Sequence, residues 1–197
     1  MTQREGRAFA SREQLAAWLK KNHATSSELW VRMFKKGSGR PSVTWDDCVV
    51  VAIAWGWIDG VRHALDEESF LQRFTPRRAR SNWSKRNCAH AERLIAEGKM
   101  EPAGLAHVVA ARADGRWDRA YAGSSNLVFP EEFMLALKKA PKAAAFFATL
   151  SRGQRFPIYY SVQTAKRADT RTRRIAAAVA ALATGQVRAP RRRPTRT

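Results

Sequence analysis

Acidic side chains are the first shortage. Seventeen aspartates and glutamates face 36 lysines and arginines, giving a formal net charge of +19 and a pI of about 11.2. No acid occurs between Ser69 and Ala91, and none in the last ten residues, which hold Arg188, Arg191, Arg192, Arg193 and Arg196. Cysteine is almost as scarce. Cys48 and Cys88, 40 residues apart in segments that look helical, form no zinc spacing and read as two buried free thiols rather than a bridge. His23, His63, His90 and His107 are scattered, so no metal site is expected. Long apolar runs are missing too. The longest, Cys48 to Ile58, is flanked by Asp47 and Asp59 and is too short to cross a bilayer. Met1 to Ala10 has charges but no apolar core behind it, unlike a secretory signal. These absences give the expectation of a cytoplasmic protein without a transmembrane segment. Lys35-Lys36-Gly37-Ser38-Gly39-Arg40 lacks the full spacing of a phosphate-cradling loop, and no cofactor is implied.

What is present is a foldable chain. Of its 197 residues, 45% are hydrophobic and seven are tryptophan, which argues against disorder over most of the length. Setting aside the five terminal arginines still leaves +14 on the body. Such a body attracts polyanions: RNA, DNA, anionic lipid surfaces or phosphorylated ligands. An arginine-rich composition alone would produce the same count, so charge by itself selects no partner.

Periodicity assigns the elements. Ser11-Arg12-Glu13-Gln14 reads as a capping box ahead of a helix with Leu15, Trp18 and Leu19 on one face. Glu28 to Lys36 alternates as a strand, and a Gly/Ser/Pro stretch from Gly37 to Ser42 breaks it. Thr44 caps a second helix that stops at Gly56. Trp57 to Ala64 and Ser69 to Thr75 form a hairpin across Asp66-Glu67-Glu68, ended by Pro76. Helices are expected from about Trp83 to Glu97 and from near Pro102 to just before Asp114-Gly115. After that come helices opened by Pro130 and Pro141, and a last one running from the basic stretch Lys166–Arg174 to Gly185. The fold class is therefore α+β: a small antiparallel sheet of about three strands packed by helices, followed by an all-helical C-terminal module. The expected divisions are an α+β domain at 1–115, a linker at 116–127, the helical module at 128–186 and a basic disordered tail at 187–197.

The densest mixture of chemistries runs from Trp55 to Ser84. Asp59 follows Trp57 and Ile58, a carboxylate in apolar surroundings that could act as a general acid or base. It could equally pair with Arg62 or Arg73 across the hairpin, and no second carboxylate, nucleophile–base pair or metal set stands nearby in sequence. Arg73, Thr75, Arg77 and Arg80 lead into a helix whose first amides are free to meet an anion. Trp57 and Trp83 could stack a ring or could simply be core. A ligand-binding cleft at Trp57, Asp59, Arg62, Arg73, Thr75, Arg77, Arg80 and Trp83 is the expectation, with a solvated basic face as the alternative.

In order, these pieces resemble the YdeI/OmpD-associated, or bacteriocin-protection, family. The resemblance is carried by Glu28-Leu29-Trp30-Val31, Lys35-Lys36-Gly37-Ser38-Gly39, Trp55-Gly56-Trp57-Ile58-Asp59-Gly60, Arg73-Phe74-Thr75-Pro76-Arg77 and Ser81-Asn82-Trp83-Ser84. Ala144-Ala145-Phe146-Phe147 and the stretch from Ser161 through Ile175 continue it in the C-terminal half. The chain departs from the family pattern at Pro157 and at Ala168-Asp169-Thr170, where the family is more acidic. The resemblance implies a link to antimicrobial-peptide or envelope stress resistance and supplies no catalytic residues. Three functions stay open: a cytoplasmic binding protein for an anionic small molecule or partner group, a nucleic-acid-binding protein acting through its basic surface, and an enzyme acting on a phosphorylated or carboxylated substrate through Asp59.

Overall fold

The computed structural model describes residues 6–123 and 126–187. It divides into two compact units, Met1–Asp118 and Arg119–Thr197. The first is α+β. Its elements are β1 (Arg7–Ala8), α1 (Arg12–Asn22), β2 (Leu29–Phe34), α2 (Trp45–Ala54), β3 (Trp57–Ala64), β4 (Ser69–Pro76), α3 (Lys85–Ala96) and α4 (Pro102–Ala113). The second unit is helical among its described residues: α5 (Glu131–Lys138), α6 (Pro141–Thr149), α7 (Arg152–Gln163) and α8 (Ala168–Ala183).

The sheet has four strands in the order β1-β2-β4-β3, one more than the sequence pattern indicates. The extra strand, β1, is two residues long and pairs parallel to β2, so the sheet is mixed rather than purely antiparallel. A strand of that length is too short to show any alternation. The β3–β4 hairpin carries an irregularity between Asp59 and Arg62. Gln72, only 3% exposed, repairs it: its side-chain amide donates to the carbonyls of Gly60 at 3.0 Å and Val61 at 3.4 Å. A bulge leaves backbone groups without ladder partners, and a buried glutamine is one way to satisfy them.

Local chemistry sets the helix starts. Ser11, Thr44, Ser84 and Ser151 each accept a hydrogen bond from the backbone N–H three residues on. Thr44 and Asp47 form a full capping box. At Ser11 the returning bond goes one residue further back, from the Ala10 N–H to Gln14 Oε1 at 2.9 Å. In α2 every residue from Cys48 to Ala54 is buried, and α1, α3, α4 and β3 all pack on it.

The second unit buries Phe133, Leu137, Phe147, Ile158, Val162, Ile175 and Leu182 around one core, with Phe129 stacked on Phe133 at 4.7 Å. All seven tryptophans lie in the first unit and all three tyrosines in the second. Arg116 and Trp117, in the stretch expected to be a linker, belong to the first unit: Arg116 is 4% exposed and Trp117 lies against Trp83 at 4.9 Å. The basic tail expected at 187–197 falls, from Arg188 onward, outside the described residues.

The start of α4 lies tightly against the end of α2. A Cβ on Gly104 would come within 2.2 Å of the Ala54 carbonyl oxygen and 2.5 Å of that of Ile53. Gly56 turns the chain out of α2 with a φ of 73°, and a Cβ there would sit 2.9 Å from the Ala103 carbonyl oxygen. Neither obstacle is a flexible side chain, so Gly104→Ala must push two helices apart. We expect it to cost about 3 kcal/mol of stability, the upper part of the usual overpacking range. Gly153→Ala in α7, whose new methyl would meet nothing closer than 4.0 Å, should instead leave stability unchanged or raise it by up to ~1 kcal/mol. Thermal melts of the two variants check both outcomes.

Candidate functional site

The cleft expected around the hairpin is largely filled by its own side chains. Trp57 is 1% exposed. Its indole Nε1 donates to the His23 carbonyl at 3.1 Å, and its ring meets Trp18 edge-on. Trp83 is 2% exposed and lies between Trp117 and the Arg77 guanidinium, the latter 3.8 Å from its ring. Neither indole face can therefore stack a ligand, which corrects that part of the sequence expectation. Arg77 is 4% exposed and donates through Nη1 to the Asn82 carbonyl at 3.0 Å, closing the turn that follows the hairpin. A buried guanidinium is tolerated where carbonyl oxygens and an aromatic face replace its water.

The other expected ligand residues scatter. Arg73 donates to Glu28 Oε2 at 2.8 Å, and Arg62 lies 3.7 Å over the Phe70 ring. Thr75 is half-buried opposite Ile58, and Arg80 is exposed in the turn. Asp59 pairs with neither Arg62 nor Arg73, the second correction. It sits opposite Phe74 in the register, so its side chain leaves the sheet on the face away from Arg73. Burial raises its carboxyl pKa; a hydrogen bond from the Trp45 side chain and the fields of Arg77 and Arg86 offset this only in part.

An Asp–His pair that sequence spacing does not reveal stands close by. Asp46 Oδ1 lies 2.5 Å from Arg86 Nη2 and 3.3 Å from His90 Nε2. On its other side His90 Nδ1 lies 3.4 Å from Arg93 Nη2. A guanidinium can only donate, so Nδ1 accepts, and the ring proton sits on Nε2 facing Asp46. Nε2 is buried near Asp46 without a well-directed hydrogen bond to it, and burial lowers the imidazole pKa despite Asp46. The neutral imidazole braces α3 against α2 beside the Asp46–Arg86 ion pair. Cys48 and Cys88 are buried and their thiols are pushed up to about 12 and about 11, which leaves both protonated and unreactive at neutral pH. Among the described residues, no group of three His, Cys, Asp or Glu side chains stands together as a metal site.

Open space lies elsewhere in the first unit. α1 and α3 both pack on α2 and leave a groove between them, of about 600 Å³ at one end and about 310 Å³ at the other. Ala16, Val50, Val51 and Leu94 line both ends, and Ala54 and Trp55 extend the apolar floor at the smaller one. Arg12 and Lys99 stand over both ends. The larger end adds Glu13, Asp46, Arg93 and Glu97, and the smaller end adds Lys20 and Glu101. The smaller end thus has three cations to one acid. Arg12 and Lys99 lean on Asp47 and Glu97 in solvent-exposed pairs, whereas Lys20 makes no ion pair among the described residues. The groove exists because α1 presents alanines at 16 and 17, where longer side chains would fill it. Sequence reasoning missed it because its residues come from three separated helices; the visible trace is Arg12, Ala16 and Lys20 at four-residue spacing.

Two pH effects follow. The carboxyl of Asp59 keeps its proton to a higher pH in the folded chain than in the unfolded one, so its ionisation opposes folding as pH rises through that window. Asp59→Asn, still able to accept from Trp45, should raise the melting temperature at pH 7. The gain should vanish below the ordinary carboxyl value of 3.8, where both states are protonated. His90 and His107 are both lowered from 6.5 by burial, so the unfolded chain takes up their protons first and stability falls as pH drops through 6.5. Melts of His90→Gln/His107→Gln against pH should show that fall flattened; an unchanged slope would place the pH sensitivity elsewhere.

The family comparisons divide the chain along similar lines. The model described as a domain of unknown function (DUF8412) matches residues 7–107, just over half of the chain. The model described as bacteriocin-protection, YdeI or OmpD-associated matches residues 126–185. The resemblance to the bacteriocin-protection family is therefore shown for the helical segment, while the N-terminal motifs from Glu28 to Ser84 fall under the separate model. No curated protein and no solved structure matches the chain. The chain belongs to the DUF8412 family, and its C-terminal segment matches the bacteriocin-protection, YdeI or OmpD-associated family.

Proposed function

We propose that the chain is a cytoplasmic binding protein for a small amphipathic anion, such as an aliphatic or aromatic carboxylate, taken up at the smaller end of the α1–α2–α3 groove. The observation that carries this reading is an apolar floor of Val50, Val51, Ala54, Trp55 and Leu94 beneath three cations and one acid. Lys20 is the cation that makes no ion pair among the described residues. The apolar floor supplies affinity in proportion to the area covered, and the cations select the charge of the head group. The expected anionic ligand is thus kept, and its place moves from the hairpin to the helices.

Saturated straight-chain carboxylates of increasing length test the reading by thermal shift. Each buried methylene is worth about 0.8 kcal/mol, roughly fourfold in Kd, and a ligand at ~100 times its Kd stabilises by about 2.7 kcal/mol. The expected result is stabilisation that grows with chain length, persists at high salt, and is absent with alkylammonium ions of the same length. Lys20→Glu should weaken binding about tenfold, a charge-assisted contact of ~1.4 kcal/mol, and Ala16→Phe should block the groove. Equal stabilisation of the wild type and Ala16→Phe would sink the groove as the site.

A further inference from the structure

The positive charge is unequally shared between the units. Residues 119–197 hold 16 of the 36 lysines and arginines but 3 of the 17 acids, a net +13 against +6 for the longer first unit. Among the described residues of the second unit, the basic residues gather most densely at the corner between α7 and α8. Lys166 and Arg167 are exposed in the turn, and Arg173 is exposed in the second turn of α8. Lys166 and Arg173 make no ion pair among the described residues. Arg167 is held only by Asp169 at 3.1 Å, with both side chains mostly in solvent, a contact of little worth in water.

Two further arginines brace the corner. Arg174 donates through Nη1 to the Ser161 carbonyl at 2.6 Å, tying α8 to α7, and Arg171 lies 3.8 Å from Glu132. The exposed cations thus stand on a framework fixed by the half-buried ones. The rest of the outward stripe of α8 is low: Thr172, Ala176, Ala177 and Ala180 are exposed and short. A large polyanion can approach the helix closely along it. A lipid surface would want apolar side chains beside the cations, and the large exposed hydrophobic residues of this unit, Val128, Met134 and Leu135, lie before and on α5 instead.

We infer that the α7–α8 corner binds the sugar–phosphate backbone of nucleic acid, through Lys166, Arg167 and Arg173 and without reading base sequence. The inference is independent of the groove in the first unit. Phosphate contacts of this kind give affinity and strong salt dependence but no sequence preference.

The test titrates the full chain into fluorescent DNA duplexes of two unrelated sequences while salt is varied, with anisotropy as the readout. Equal affinity for both sequences is expected, with log K falling linearly with log salt at about 0.9 per phosphate contacted. Lys166→Glu/Arg167→Glu/Arg173→Glu should reduce that slope by about 2.7, three contacts' worth, and weaken binding by at least about tenfold at low salt. Lys138→Glu/Lys139→Glu/Lys142→Glu makes the same charge change at the α5–α6 turn and should reduce the slope by less than ~1. If the two triple variants lose binding equally, the corner is not a site and only total charge acts. Unchanged binding in the corner variant, or binding to phosphatidylserine vesicles with none to duplex, also overturns the inference. Circular dichroism melts confirm folding; should the reversal unfold the chain, the glutamine version at the same three positions must show the slope reduction instead.

Discussion

Everything in the first unit hangs on the burial of α2. A helix apolar on all sides is stable only when covered on all sides. Its cover comes from α1 on one flank, α3 on another, α4 at its end and the start of β3. Each fully buried valine or isoleucine contributes roughly 1.5–3 kcal/mol relative to exposure, so the seven buried residues from Cys48 to Ala54, four of them valine or isoleucine, make this helix a large local source of stability. The cover is also what creates the groove. Two helices that both pack on a third need not meet each other, and alanines at 16 and 17 keep α1 from closing the gap.

The close approach of α4 explains two otherwise isolated residues. Gly104 brings the α4 backbone onto the last carbonyls of α2, and the Glu101 N–H donates to the Ala54 carbonyl at 3.2 Å. Gly56 lets the chain leave α2 in a left-handed conformation and start β3 at once, which places Trp57 in the core and Asp59 two residues further on. The depth of Asp59, and hence its raised pKa, is a consequence of how α2 ends. It needs no catalytic explanation.

Much of the fold was legible because caps, breakers and alternation are local. Ser11, Thr44, Gly56, Pro76 and Gly98 mark element ends through the chemistry of one or two residues. What was not legible is the direction a side chain takes once the sheet is assembled. Arginines 73 and 77 look alike in sequence, yet one pairs with Glu28 at the surface and the other lies buried over Trp83. Trp57 and Trp83 read equally well as platforms or as core, because an indole satisfies either role and only the packing decides. The Asp46–His90 contact and the groove require three helices to be placed in space, and spacing along the chain carries almost no trace of them.

Charge divides into working classes only when partners are known. In the first unit several basic residues are answered by acids: Arg32 by Asp66, Arg73 by Glu28, Arg86 by Asp46, and Arg116 by Asp114 and the Ser81 carbonyl. The 14 acids among residues 1–118 make that possible. Residues 119–197, with three, cannot neutralise their cations internally. Self-repulsion among those cations opposes compaction, so the aromatic core around Phe129, Phe133 and Phe147 must outweigh it. A polyanion that screens this repulsion would therefore stabilise the helical unit as well as bind it. This linkage follows from the charge inventory, whichever cations make the contacts.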